Sequence, residues 1–218
     1  MISVILLMAG KGTRMGADKN KILLPLGDKP VFMHSLETFK SFGFEIVCVI
    51  SEEDKDEILK YLPNDVKYTI GGKERGDSVY NGIKAVTGDY VLIHDAARPF
   101  IAREVIEEIV AKKDNNRAIL TYLPVKDTIK IKGDFLKTLK RSELIAAVTP
   151  QCGSRMLMLN AYSKALIEKK SFTDDISIVE HYFPKVKIDL VEANEEVFKI
   201  TTPFDLKVAN TIWRDKND

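Results

Sequence analysis

The sequence predicts an α/β protein with a Rossmann-like, mostly parallel twisted sheet, helices on both of its faces and a protruding β-arm. Two observations carry the sheet. Short apolar runs alternate with stretches of helical spacing through the first half of the chain, the order that a parallel sheet with crossover helices requires. Several of those runs are apolar at nearly every position, as strands covered on both faces are. The arm rests on a third observation. Near residue 126 the pattern turns polar and alternating around Gly133-Asp134, a hairpin signal too polar for a central pair of strands.

In chain order, "ISVILLM", "FEIVCVI", "VKYTI", "YVLIHD" and "RAILTYLPV" read as strands. Between them, residues 30–42, 53–62, 78–87 and 102–113 carry apolar residues at helical spacing. The arm covers about residues 126–148. Helices follow around 154–169 and 174–183, then a strand at 186–191 and a last helix from Pro203. Thr202-x-x-Asp205 resembles a capping box, with Pro203 at the first helical position. No repeat, low-complexity tract or linker divides the chain, so its 218 residues read as one domain with an arm.

Composition excludes several classes. A hydrophobic share of 45% and a charged share of 30% are those of a soluble globular protein. A net charge of +1 speaks against a general polyanion binder, so no nucleic-acid partner is expected. Two cysteines, Cys48 and Cys152, make no disulfide framework, and Cys48 in "IVCVI" reads as a buried, inert thiol. His34, His94 and His181 lie in no zinc-ligand spacing. The first apolar run is too short to span a bilayer and has no charged segment before it. A cytoplasmic location without membrane attachment is the expectation.

The stretch "LLMAGKGTRMGADKNKILLPLGDKPV" leaves the end of the first strand, where ligands of such sheets sit. Gly10, Gly12 and Gly16 give G-x-G-x-x-x-G, one residue longer than the dinucleotide fingerprint, and no G-x-x-x-x-G-K-[ST] string occurs. A polar loop and another extended run, "ILLPL", follow instead of a helix. The chemistry still points to phosphate. Glycines let backbone amides approach an anion, and Arg14 and Lys21 add fixed positive charge around a polyphosphate. A solvated loop with scattered lysines is the plain alternative. "GGKERGDSVYNGI" puts Gly71-Gly72 at a strand end and Asp77 or Ser78 at a helix start, where Ser78 is either a ligand contact or an N-cap. "LIHDAARPF" ends an apolar strand with His94, Asp95 and Arg98. Asp95 is there a candidate metal or ribose contact, or a buried structural carboxylate.

"MAGKGTRMG…NKILLPLGDKPV", "GGKERGDSV", "HDAARPF", "PVKDTIK", "TPQ", "TDD" and "KITTPFDL" fall in order across nearly the whole chain. Together they resemble the cytidylyltransferases that couple CTP to 2-C-methyl-D-erythritol 4-phosphate in isoprenoid-precursor synthesis and release pyrophosphate. The resemblance implies the Rossmann-like fold, a homodimer made through the arm, and Mg²⁺ as cofactor. It implies that Arg14 and Lys21 contact the triphosphate and the transition state. Met8, Ala9, Gly10, Gly12, Gly71, Gly72, Ser78, Asp95 and Ala96 would hold the nucleotide, with Asp95 near ribose and metal. Arg98 belongs to the same motif as Asp95 and would face the sugar phosphate. Thr128 and Arg141 would reach the sugar phosphate of the neighbouring subunit, and Thr173 and Lys199 would line that site, Lys199 also assisting catalysis. The chain departs from the family at Met8, where Ala-Ala-Gly is usual, at Ile22-Leu23 after Lys21, and at Lys73 in the base-recognising segment.

Three other readings compete. A sister enzyme that activates ribitol 5-phosphate would also suit "KITTPFDLKVAN", while Ala96-Ala97 in "HDAARPF" favours the erythritol substrate. A nucleotide-binding module without activity would not need Arg14, Lys21, Asp95 and Lys199 together. An NAD-dependent oxidoreductase would need the correct glycine spacing, which fails.

Overall fold

The opening apolar run, β1 (Ile2–Leu7), becomes an interior strand of a seven-stranded sheet. The computed structural model describes residues 1–10 and 20–217. On one side of β1 lie β4 (Glu45–Ile50) and then β5 (Lys67–Ile70), both parallel. On the other side lies β6 (Tyr90–Asp95), also parallel. Beyond it come β10 (Ile145–Ser154), antiparallel to both neighbours, then β7 (Arg117–Pro124) and β11 (Lys187–Glu192). The chain builds outward from β1 to β5, then returns to lay β6 on the opposite side. Strand order thus reverses beside β1, which opens a crevice at the carboxyl ends of these strands.

Both faces of the sheet are covered, so neighbouring residues of one strand enter different cores. Val4, Leu6, Cys48 and Leu92 join α1 (Val31–Lys40), α2 (Lys55–Leu59) and α4 (Arg103–Lys112) through Phe32, Leu36, Phe39, Ile58 and Ile106. Ile5, Val47, Val91 and Ile93 meet α3 (Arg75–Ala85), α5 (Arg155–Ile167) and α6 (Asp175–Tyr182) through Val79, Ile83, Met158, Tyr162 and Val179. Each such side chain, fully buried, contributes about 1.5–3 kcal/mol. A small ribbon of β2 (Pro25–Leu26) and β3 (Lys29–Pro30) packs with α7 (Pro203–Asn217) around Leu26 and Ala209. The capping box forms: Asp205 Oδ2 accepts from the N–H of Thr202 at 2.7 Å, and Thr202 Oγ1 from that of Asp205 at 3.2 Å. Cys48 and Cys152 are free and fully buried, and burial pushes both thiols up. Among the described residues no helix is long and apolar enough to cross a membrane.

Several elements differ from expectation. β10 is absent from the sequence expectation, because "IAAVTPQCGS" is broken by Pro150 and Gly153, and an interior proline argues against a strand. The ladder absorbs Pro150 at a register shift between Ala147 and Gln151. "ILLPL" is not one extended run, because Lys21–Leu23 wind into a single 3₁₀ turn. α3 begins at Arg75, three residues before the expected position, with Glu74 as its N-cap. Residues 145–148, expected in the arm, open β10, whose first residues pair with the end of β7. This two-strand extension carries the hairpin of β8 (Lys130–Ile131) and β9 (Lys137–Thr138), joined through residues 132–136. Phe135 is 91% exposed at its tip.

Candidate active site

A cleft of about 840 Å³ opens where the strand ends converge. Met8, Ala9 and Gly10 enter it from β1, Gly71 and Gly72 from β5, and Asp95 and Ala97 from β6. The backbone stitches these ends together: Met8 N–H donates to Val49 O at 2.8 Å, Gly71 N–H to Ile50 O at 2.8 Å, and Ala96 N–H to Leu7 O at 3.1 Å. The turn needs both glycines. A Cβ on Gly71 would stand 2.7 Å from Ala9 Cβ, and one on Gly72 would stand 2.1 Å from Asp77 Cβ. Ser78 is not the helix cap. From inside α3 its hydroxyl accepts the Gly72 N–H at 3.1 Å and donates to Glu74 O at 3.2 Å, while Asp77 Oδ2 takes the Glu74 N–H at 3.0 Å.

Asp95 ends β6 at the floor of the cleft, and Lys199 Nζ donates to its Oδ2 at 2.8 Å. Ile200 N–H, bonded to Ala97 O at 2.9 Å, brings this segment over β6. Burial alone would raise the Asp95 carboxyl, but the charges of Lys199, Arg75 and Arg98 outweigh it and hold it well below the usual carboxylate range. Behind it, Thr149 Oγ1 accepts the Asp95 N–H at 3.1 Å and meets His94 Nδ1 at 3.2 Å. His94 Nε2 lies 3.1 Å from Arg98 O. Burial lowers His94 to about 4. The ring is then neutral at pH 7, and a carbonyl partner puts its proton on Nε2.

Lys21 enters the cleft from the 3₁₀ turn. Asn20 fixes that turn: its Oδ1 accepts the Ile22 N–H at 3.3 Å, and its Nδ2 donates to Asp54 Oδ2 at 2.8 Å. Asp54 is held in turn by Ser51 Oγ at 2.6 Å. Arg14 and Gly12 lie outside the described residues.

The model of the family described as 2-C-methyl-D-erythritol 4-phosphate cytidylyltransferase matches residues 2–215. The chain belongs to the 2-C-methyl-D-erythritol 4-phosphate cytidylyltransferase family. It is therefore a nucleotidyltransferase. A family member from Bacillus mycoides is 38% identical over 97% of each chain. One from Clostridioides difficile is 38% identical over 97% of this chain and 93% of its own. The crystal structure of 4-diphosphocytidyl-2C-methyl-D-erythritol synthase from Anaerococcus prevotii superposes with a TM-score of 0.86 at 29% identity over 98% of each chain. A cytidylyltransferase structure from Thermus thermophilus has a TM-score of 0.80 at 25% identity, covering 97% of this chain and 98% of that one.

The cleft gathers Met8, Ala9, Gly10, Lys21, Gly71, Gly72, Ser78, Asp95 and Lys199 of the residues the family resemblance marked. Others stand elsewhere in this chain. Ala96 is fully buried with its N–H spent on Leu7 O, and its neighbour Ala97 takes the place on the lining. Arg98 lies inward, with Nη1 on Val197 O at 3.0 Å and Nε 3.7 Å from Asp95 Oδ2. Thr128 and Arg141 ride on the exposed arm, where Arg141 Nη1 donates to Lys126 O at 2.8 Å. Thr173 is exposed just before α6. Sequence reasoning passed over Arg75, Glu74 and Thr201, which line the cleft. It also passed over the buried groups behind it, although Arg75, Gln151 and Asp175 all lie in family motifs.

The donor set defines what metal could fit. Among the described residues no group of three His, Cys, Asp or Glu side chains could hold an ion by themselves. Asp95 offers an ionised hard-oxygen ligand beside the glycine turns. Mg²⁺ keeps several waters and needs only one or two carboxylates when phosphate oxygens supply the rest. The residues fit a phosphate-borne Mg²⁺ and do not fit a metal held by protein alone.

Proposed function

We propose that this cleft transfers CMP from CTP to 2-C-methyl-D-erythritol 4-phosphate and releases pyrophosphate, a step of the non-mevalonate isoprenoid pathway. The observation that supports this reading most is the meeting of Lys21, Lys199, Asp95 and the Gly71-Gly72 turn at one crevice. A sugar-phosphate oxygen attacks the α-phosphorus as the bond to pyrophosphate breaks. The nucleophile is already anionic, so no general base is required. The protein has to orient both phosphates and stabilise charge. In this reading the glycine turns and Ser78 hold the base, and Lys21 with Arg14 neutralises the phosphoryl oxygens in flight. Lys199 and Thr173 serve the sugar phosphate, and Arg98, turned inward, acts on that site through the charge of Asp95 beside it. Mg²⁺, when bound at Asp95, would neutralise phosphate charge.

The assembly we propose is a homodimer through the arm, with Thr128 and Arg141 serving the partner's site. The apolar tip of the hairpin supports it, with Phe135 at 91% and Leu136 at 70% exposure. A cytoplasmic location suits two free thiols. The test is a pyrophosphate-release assay with CTP against a panel of sugar phosphates that includes ribitol 5-phosphate. Release with the erythritol phosphate at the highest kcat/KM is expected. A higher value for ribitol 5-phosphate would reverse the substrate, and no release with any member would leave only nucleotide binding.

A further inference from the structure

Arg75 lines the cleft, and the reading above gives it no role. Its side chain is 36% exposed, while that of its partner Asp175 is fully buried. Two parallel hydrogen bonds join them, Nη1 to Oδ1 at 2.7 Å and Nη2 to Oδ2 at 2.8 Å. The same carboxylate accepts from the Tyr162 hydroxyl. Its backbone is pinned as well. Gln151 Oε1 takes the N–H groups of Asp175 and Ile176, each at 2.9 Å, and Asp174 Oδ1 caps α6 through the Ser177 N–H at 2.8 Å. The "TPQ" and "TDD" stretches therefore meet behind Arg75 and fix the plane of its guanidinium.

Stability alone does not account for this arrangement. Arg75 is the first residue of α3, where the helix dipole disfavours a cation. Among the described residues it shares the cleft with Lys21, Lys73 and Lys199 against Glu74 and Asp95, with Asp175 behind it as its own counter-charge. A surplus of positive charge in a concave site repels itself until an anion arrives. Asp175 takes one N–H from each terminal nitrogen and the Tyr162 hydroxyl also interacts with the guanidinium, while the 36% of the side chain left exposed lies on the cleft lining with N–H groups beyond those two bonds.

We infer that Arg75 binds a phosphoryl oxygen of one substrate through those N–H groups, and that Asp175, Tyr162 and Gln151 are its positioning residues. The inference rests on the function proposed above. The triphosphate of CTP and the phosphate of the sugar offer the same chemistry, and kinetics separates them.

The experiment measures kcat and the KM of each substrate for the full chain, with melting temperatures in parallel. Wild-type turnover tests the proposed function on its own. Without turnover, calorimetric binding of CTP and of inorganic phosphate to wild type and Arg75→Lys carries the test. Arg75→Lys keeps the charge and loses the fork. It should raise the KM of one substrate by about tenfold or more and leave the other KM near wild type, with any fall in melting temperature coming from the lost fork to buried Asp175. The substrate whose KM rises is the one held. A fall in kcat alone at unchanged melting also supports the contact, as one made in the transition state. Tyr162→Phe, which leaves the ion pair in place, should shift the same constant in the same direction by less. Asp175→Asn should do so more strongly if it folds; if it does not, Tyr162→Phe decides. Kinetic constants, or binding constants where turnover is absent, within about twofold of wild type in folded Arg75→Lys would overturn the inference. So would an equal loss in every constant together with a lower melting temperature, which marks a structural ion pair only.

Discussion

Lys199 Nζ stands 2.8 Å from Asp95 Oδ2, joining positions 104 residues apart at the floor of the cleft. Neither side chain is sealed, with Lys199 36% and Asp95 12% exposed. The pair is held by the Ile200–Ala97 backbone bond on one side and by Thr149 on the other. A lysine so placed is neutralised while the cleft is empty and can turn to a phosphate when one enters. The carboxylate meanwhile stays ionised, because Lys199, Arg75 and Arg98 all face it.

Lys199→Ala should therefore lower kcat/KM on the order of 10²–10³-fold, the usual effect of removing one charge-stabilising donor. Asp95 would be left beside Arg98 without its closest partner, so the melting temperature should fall as well. Pairing Lys199→Met with Asp95→Asn should recover stability relative to either single change and recover no activity, because breaking one side of an ion pair costs more than removing both. Urea unfolding and initial-rate assays on the four proteins check this.

Lys21→Ala in a folded protein should lower kcat on the order of 10²–10³-fold. Asn20 makes a second test, because it holds the turn that carries Lys21 and also donates to Met8 O at 3.4 Å on the cleft lining. Asn20→Ala loses the cap, the Asp54 tie and the bond to Met8 O, and kcat should fall more than the KM for CTP rises. In a Lys21→Ala background the same change should have almost no further effect on kcat. Full additivity would show that Asn20 acts through Met8 and not through Lys21.

Much of this was legible in the sequence because the signals were local. Apolar runs gave β1, β4 and β6, the glycines of "GGKERGDSV" marked a turn, and Thr202 and Asp205 announced the start of α7. What escaped depends on tertiary partners. β10 carries Pro150 and Gly153, and only its neighbours β6 and β7 make it a strand. Asn20 reads as a loop residue until Asp54 comes within 2.8 Å. Asp175 reads as a helix-start acid, and its partner Arg75 lies 100 positions away. Ser78 illustrates the limit well: composition offered a cap, while the fold begins α3 earlier and spends the hydroxyl on Gly72.

Acid should weaken the fold in two windows. His94 is neutral in the folded state, with burial holding it near about 4 against an ordinary 6.5. Between those values the unfolded chain binds a proton that the folded chain refuses. The stabilisation is therefore complete above 6.5 and is lost as pH falls toward 4, at up to about 1.4 kcal/mol per pH unit. The depressed carboxyls of Asp95 and Glu45 lose their share only below their ordinary values of 3.8 and 4.5. Urea unfolding at about pH 7 and about pH 5 isolates the first window. Wild type should lose stability between them, and His94→Gln, which has no titrating ring, should lose less, the remainder including His34, which burial also lowers. Equal losses would assign the acid sensitivity elsewhere.

The arm sets the last expectation. β8 and β9 form a ribbon of two residues each, too short to be stable alone in water, and Phe135 and Leu136 at its tip are 91% and 70% exposed. Sedimentation should show a dimer, and Phe135→Asp with Leu136→Asp should shift it to monomer. If Arg141 reaches the partner's cleft, subunits carrying Arg141→Ala and Lys21→Ala should complement each other. In a mixed dimer, one site has lost both residues. The other combines Lys21 of the first subunit with Arg141 of the second and is intact. Heterodimers made from two inactive parents should then show about half of wild-type activity per dimer. If Arg141 instead served its own cleft, each site would lack one residue and no activity would return. Purified heterodimers carrying two different affinity tags distinguish these outcomes, because neither parental homodimer contributes to the signal.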